Sequence, residues 1–401
     1  MASLVAWLDA SSEDQRRMRE IVNLFSEKES RDELGIGQIR DALSDTLFPG
    51  TSTLLTRARY MVLIPWCFVS ASRPGLTPDA IAQRVETNER DLIASLKLQG
   101  ETEGLLGRTA GRALKTLPSS IYWAALRQYG ILRQPTLNQA DAISLHGVAG
   151  QTDDTEDRVR AWSPTLPPHP ANITVDTAGG FALSASEAQW LIERMLEGTE
   201  GTVLAHLLDA RPQPNSAAPW ADLACAAMAA PLMEQLQHAR NFSFAMHGAS
   251  LLYNLLLAEE YERAGFDQVV GASELYRDEL TQWQDERFNR FGELTGWDRS
   301  AFWHLIAVRN PRVAGASRLF VDRWLDIVTM PGNLNLESDL DSRNLITRRE
   351  FNNKGAQARL RNRKLLASWQ GGSGARPLVF RWPQVRTVLN DIHNGLESPV
   401  A

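Results

Sequence analysis

A chain of 401 residues with 43% hydrophobic and 22% charged side chains has an ordinary globular composition, enough for two or three domains, and is neither disordered nor fibrous. Its two cysteines, Cys67 and Cys225, exclude a disulfide framework and a four-sulfur zinc site and fit a reducing cytoplasm. The formal charge of −6 excludes a generally basic nucleic-acid coat, yet it is uneven: Arg343–Arg386 holds eleven basic residues against Glu350 alone, +10, so the remainder carries −16.

Met1–Asp9 lacks a basic start and reaches an aspartate too soon for a signal peptide. Ser3–Leu8 is apolar and strand-like. Ser12-Glu-Asp-Gln15 matches a capping box and opens a helix with the stripe Met18, Ile21, Val22 and Phe25. After Gly35, the stripe Ile36, Ile39, Leu43 and Leu47 predicts a second helix, stopped by Phe48-Pro49-Gly50. Thr51–Ser72 predicts a mostly buried helix with a kink at Pro65. Between Leu76 and Gly100 two short helices are expected, one capped by Thr77-Pro78 and one by Thr87. Another follows Pro118 and stops at Gly130. Asp153–Asp157 and Pro164–Pro170 mark an exposed connection, and Ile173–Val175 with Phe181–Leu183 suggests a hairpin. Ser184-Ala-Ser-Glu187 is a second capping box. Trp220–Val328 reads as packed long helices around Leu251, Leu252, Leu255 and Leu256. The uncharged run Asn241–Ala258 carries Asn241, Ser243, His247 and Asn254, too polar for a membrane span but suited to a core helix whose polar groups are bonded. Near the end, Leu378–Trp382 predicts a strand, and Val385, Val388, Leu389 and Ile392 a last helix ended by Gly395.

The expectation is a mainly α, multi-domain helical protein with a helix-turn-helix-like segment and a few short β elements, the strands at the two chain ends pairing. Its expected parts are 1–137, an N-terminal helical domain with the helix-turn-helix-like segment 76–99; 138–183, a connection rich in proline and acids; 184–336, a central helical domain; and 337–401, the basic segment with its strand and final helix.

Chemistry is harder to find. None of the seven histidines (His146, His169, His206, His238, His247, His304, His393) stands three or four residues from another or from a cysteine, so no metal motif is declared and no cofactor is expected. Gly371-Gly-Ser-Gly374 lacks the lysine and following helix of a phosphate-binding loop and reads as flexible. Gly-x-Ser-x-Gly is absent. Asp32, Glu33, Asp41 and Asp45, and Glu337, Asp339 and Asp341, read as hydrated surface or polar loop rather than catalytic or cation-binding clusters. Ala82 could let two helices of Leu76–Leu98 approach, but the second would start Asn88-Glu-Arg-Asp91, whose acids repel phosphate. The stronger signal is Arg343, Arg348, Arg349, Lys354, Arg359, Arg361, Arg363 and Lys364, with Phe351, Trp369 and Trp382 as stacking surfaces. These cations grip nucleic acid, pair with the chain's own acidic remainder or a subunit, or, the least favoured reading, take an acidic small ligand.

Trp7-Leu-Asp9, Arg31-Asp-Glu-Leu-Gly-Ile-Gly37, Leu47-Phe-Pro-Gly-Thr-Ser-Thr-Leu54, Thr56-Arg-Ala-Arg-Tyr60 before Pro65-Trp66, Leu117-Pro-Ser-Ser-Ile-Tyr-Trp123, Leu252-Tyr-Asn-Leu-Leu-Leu-Ala258 and Phe380-Arg-Trp382 appear together. With these blocks the chain resembles an uncharacterised bacterial domain-of-unknown-function family of about this length, along nearly its whole extent. The resemblance implies a place among phage-defence genes, beside helicase and phospholipase-D-like products, in a multi-protein DNA-directed complex. It supplies no catalytic residues. The expected function is therefore a non-catalytic, cytoplasmic, DNA-binding or scaffolding subunit of an anti-phage defence complex. Its partners would be DNA or another nucleic acid and other subunits, a helicase or nuclease among them, with no membrane and no small-molecule ligand. An unrecognised metal-dependent nuclease and a pure protein–protein adaptor are the alternatives.

Overall fold

A computed structural model describes residues 32–73, 75–148, 161–170 and 177–398. The Ser3–Leu8 strand, the first capping box with its helix, the acidic run at Asp153–Asp157 and the Ile173–Val175 arm lie outside the described residues. In chain order the described helices are α1 (Gly37–Leu47), α2 (Tyr60–Ala71), α3 (Pro78–Leu98), α4 (Pro118–Gln128), α5 (Gln139–Val148), α6 (Ala185–Thr199), α7 (Val203–Asp209), α8 (Ala230–Arg263), α9 (Ala272–Asn289), α10 (Phe291–Thr295), α11 (Arg299–Arg309), α12 (Gly315–Val328), α13 (Leu340–Lys354), α14 (Arg363–Ala367) and α15 (Trp382–Leu396). The protein is mainly α. Among the described residues β pairing is limited to an isolated antiparallel bridge, Leu132 with Trp162.

The chain forms two compact units. One combines Gln237–Leu378 with the described part of Met1–Leu43; the other combines Ser44–Leu236 with the described part of Val379–Ala401. These units cut across the four consecutive segments expected from sequence. A hydrophobic stripe announces that a helix buries a face, not which distant helix covers it.

In the 44–236 unit, α2 is apolar nearly throughout and buried along most of its length, so several faces need neighbours. α3 and α4 pack on it. Tyr60 meets Tyr122 at 5.2 Å and Phe181 at 5.1 Å between ring centroids, and Phe68 meets Trp162 edge-on at 5.2 Å. The capping box at α6 forms as predicted: Glu187 N donates to Ser184 Oγ at 3.2 Å, and Ser184 N to Glu187 Oε2 at 2.9 Å. α15 lies against α6, and Gly395 makes that closeness possible, since a Cβ there would sit 2.8 Å from Ala188 Cβ and Leu183 Cβ.

In the 237–378 unit, α8 is the buried centre, as the uncharged run predicts. Two indoles bond its backbone: Trp283 Nε1 donates to Phe244 O at 2.9 Å and Trp324 Nε1 to Ala245 O at 2.7 Å. Its buried polar residues find partners. Asn254 receives Ser373 N at 2.7 Å and donates to Ser373 O at 2.9 Å, while Asn241 Oδ1 accepts from Arg290 Nη2 at 2.9 Å.

Several expectations are corrected. Leu76–Gly100 is not a helix-turn-helix: Thr77 caps as predicted, but α3 continues unbroken to Leu98. Thr87 does not cap; its hydroxyl donates back along the helix to Gln83 O at 2.8 Å. α2 starts at Tyr60, and Thr51–Arg59 is irregular. Phe181–Leu183 and Leu378–Trp382 are not strands; Phe380 and Arg381 take φ of 51° and 66°, incompatible with extended backbone, and turn the chain into α15. Gly395 lies within α15 rather than after it.

Candidate nucleic-acid interface

Of the three acidic residues before the basic stretch, Asp339 and Glu337 are used locally. Asp339 caps α13 by accepting Ser342 N at 2.8 Å, and Glu337 pairs with Arg277 at 2.8 Å. Asp32 caps α1, accepting Ile36 N and Gly37 N at 2.7 Å each. Asp45, in the other unit, pairs with Arg381 at 2.6 Å. Among the described residues no three histidines, cysteines or carboxylates group to hold a metal ion. His206 and His393 bond backbone oxygens, of Ala224 and Leu207, and His238 receives Trp297 Nε1 at 2.7 Å. These are histidines satisfied inside the fold.

The eight predicted cations divide sharply. Arg349, Arg359, Arg343 and Lys354 are built into the 237–378 unit. Arg349 is buried and donates to Leu34 O at 2.7 Å, Gly35 O at 3.0 Å, Ala316 O at 3.1 Å and Ser317 Oγ at 2.8 Å. Arg359, also buried, bonds Ser373 Oγ and lies 3.4 Å from Glu33. Lys354 lies at the same distance from Glu33, and Arg343 pairs with Glu259. Glu350, the lone acid of the stretch, is fully buried; it accepts Tyr253 OH, Arg359 N and Leu360 N. Burial pushes its carboxyl above the usual range, against the pull of those three bonds.

Arg348, Arg361, Arg363 and Lys364 remain exposed. Arg361 stacks over Phe351 at 4.2 Å from the ring centroid, and Arg363 over Phe266 at 5.1 Å. A guanidinium held by its face keeps in-plane N–H groups for an oxyanion; Arg363 spends one on Ala264 O at 2.7 Å. Among the described residues none of these four cations has a carboxylate partner. Of the expected stacking residues only Phe351 is exposed. Trp369 and Trp382 are corrected to core residues, 1% and 0% accessible; Trp369 packs on Tyr261, and Trp382 packs on Phe48 and donates to Ser216. The Gly371–Gly374 loop is likewise not free. Gly371 O accepts Tyr276 OH at 2.7 Å, and Ser373 is clasped by Asn254.

Arg348 opens onto a feature that composition does not reveal. α12 and α13 pack together and bound a groove of about 590 Å³. Leu319, Arg323 and Ile327 of α12 form one wall, Asn344, Leu345, Arg348 and Asn352 of α13 the other, with Phe320 and Arg349 deeper and the exposed carboxylate of Asp341 at the N-terminal end of the α13 wall, leaving phosphate to the Arg348 end. Asn344, Arg348 and Asn352 stand at i, i+4 and i+8, one stripe of an α-helix, and all three are exposed. Arg323 is exposed too and has no carboxylate partner among the described residues. The four acceptors of Arg349 are three carbonyls and a hydroxyl, so the groove's deepest cation is hydrogen-bonded without being neutralised by a bonded carboxylate. Burial lowers its pKa, and the nearby Asp32 charge works the other way.

A model for a family of unknown function, DUF6361, matches residues 2–395. The chain belongs to that family. No curated protein and no solved structure matches it. Membership assigns no role to any side chain, so the chemistry rests on geometry. No helix among the described residues is long and apolar enough to cross a membrane. Sequence reasoning misses Arg323, Asn344 and Asn352. The asparagines lie inside the basic stretch but carry no charge to mark them, and Arg323 lies outside it; only the packing of α12 on α13 groups them.

Proposed function

We propose that this protein is a non-catalytic subunit that contacts nucleic acid, DNA in the first instance, and scaffolds a bacterial multi-protein assembly. The defence setting rests on the resemblance alone. The observation that carries the nucleic-acid reading is the set of exposed cations, Arg323, Arg348, Arg361, Arg363 and Lys364, without carboxylate partners among the described residues. Exposed cations not neutralised by a carboxylate are what phosphate binding requires. The acidic remainder of the chain limits indiscriminate binding.

The test is affinity for DNA across a salt series, for the full chain and for an R361E/R363E/K364E variant. Binding at low salt, weakened in the variant and with a shallower dependence on log salt, is the expected result. Unchanged affinity removes these residues from the interface, and absence of binding at low salt removes the reading. A protein-adaptor role is favoured by Leu319, which is 53% exposed on the same groove; an acidic amphipathic partner would use both. Co-purification from the native host with and without nuclease separates the two, since an adaptor keeps its partner after nuclease treatment.

A further inference from the structure

The groove between α12 and α13 bears on which form of nucleic acid is held, an inference that rests on the reading just given. Asn344 and Asn352 carry amides suited to base edges, and Arg348 between them suits guanine or phosphate. A helix that reads duplex DNA enters a major groove about 12 Å wide, which admits one helix. Here the polar stripe of α13 does not stand clear of the surface. It lines a groove whose other wall is α12, with Leu319, Arg323 and Ile327. A duplex brought onto this stripe would have to accommodate both helices.

An unpaired base needs far less room. A space of 590 Å³ lies within the usual range of small-ligand sites, about 300–1,000 Å³. Leu319, Ile327 and Leu345 offer apolar surface to a base face, the two asparagines address its edge, and Arg323 and Arg348 stand on opposite walls to take flanking phosphates. Recognition of splayed-out bases by stacking, edge hydrogen bonds and backbone cations is how single strands are held. We infer that the α12–α13 groove binds unpaired nucleotides of a single strand, with Asn344 and Asn352 on the bases and Arg323 and Arg348 on the phosphates.

The experiment is fluorescence anisotropy of a short mixed-sequence oligodeoxynucleotide and of its duplex, titrated with the full chain at several salt concentrations. The variants are N344A/N352A, R323A/R348A and R361A/K364A. All six positions are exposed, and circular-dichroism melts check that each variant stays folded. Tighter binding to the single strand is expected. N344A/N352A should weaken it about tenfold with little change in salt slope. R323A/R348A should lower that slope by about 0.7 for each phosphate no longer neutralised. Equal or tighter duplex binding that depends on Arg361 and Lys364 and ignores the groove variants overturns this inference while leaving the nucleic-acid reading intact. No binding of either probe at low salt overturns both.

Discussion

Arg348 and Arg349 are neighbours in sequence with opposite fates, and the difference is measurable. Replacing Arg349 by alanine strands the carbonyls of Leu34, Gly35 and Ala316 and the Ser317 hydroxyl, all bonded to its guanidinium. Loss of charge-assisted hydrogen bonds from a buried site costs about 2 kcal/mol or more. R348A removes an exposed side chain and should change stability by no more than about 0.5 kcal/mol. Urea denaturation of the two variants checks this, and equal costs would place Arg349 outside the framework. Glu89 is a second residue with a sharp consequence. It is 1% accessible and receives Ser119 N and Ser119 Oγ at 2.8 Å each. Burial outweighs those bonds and pushes its carboxyl up to about 7. The folded state therefore holds a proton that the unfolded chain releases near the ordinary glutamate pKa. That stability is fully present below the unfolded pKa and lost as pH rises through about 7, on the order of 3 kcal/mol in all. Wild type should lose stability relative to E89Q between pH 5 and pH 8. Parallel pH profiles for the two proteins would count against the assignment.

At the scale of elements, Gly248 sets how closely a tryptophan lies on α8. A Cβ there would come within 2.5 Å of the Trp283 ring, a ring that also stacks on Phe244 at 5.1 Å. G248A should destabilise by about 1–3 kcal/mol through overpacking, despite alanine's better helix propensity; a thermal melt that rises would contradict it. The same scale shows what can be read in advance. Capping boxes and apolar stripes locate α1, α4, α6 and α15, because these signals are local. α3 reads as two helices because Thr87 looks like an N-cap, and Glu89, two residues on, hides the continuity by occupying a core position. The buried line Ile81, Val85, Glu89, Leu92, Ile93, Leu96 runs unbroken, but a glutamate within it reads as a surface residue, and the helix looks divided. The apolar run at Leu378–Trp382 reads as a strand until Phe380 and Arg381 adopt positive φ, which nothing in their residue types signals. In the candidate site, Arg348 is visible as charge. That Arg349 and Arg359 are consumed internally is not, because their partners include loop residues some three hundred positions earlier.

For the whole molecule, titratable groups of opposite sense coexist: burial raises Glu89 in one unit and Glu350 in the other, and in that second unit it lowers half-buried His247. His247, on α8, has its pKa lowered by burial to about 4, against a backbone hydrogen bond with Ala375 that raises it. Its neutral form is the one the fold prefers, so stability is lost as pH falls below the ordinary histidine value towards 4. Glu89 belongs to the other unit and gains on acidification. Between pH 7.5 and pH 5, hydrogen exchange corrected for intrinsic rates should show α3 and α4 gaining protection relative to E89Q and the middle of α8 losing protection relative to H247N, a comparison that cancels the opposite contribution of Glu350. Movement of both in one direction would refute the pairing of these two groups with those changes. The charge asymmetry has a similar division. Of the +10 stretch, the part through Arg376 belongs to one unit, while Arg381 and Arg386 belong to the other, where Arg381 pairs with Asp45 and Arg386 bonds Ser216 O.

The interleaving of the two units also fixes an order of events during synthesis. Leu34 waits for Arg349 across 315 residues, and Glu33 for Arg359 across 326. At about 5–20 residues per second the ribosome needs roughly 15 s to a minute to span that interval. Through that time Glu33 lacks its buried counter-charge and the carbonyls of Leu34 and Gly35 lack their donor. The 237–378 unit therefore cannot close until Arg349 and Arg359 have been made, and a message cut short before Arg349 leaves the carbonyls of Leu34 and Gly35 permanently unmatched.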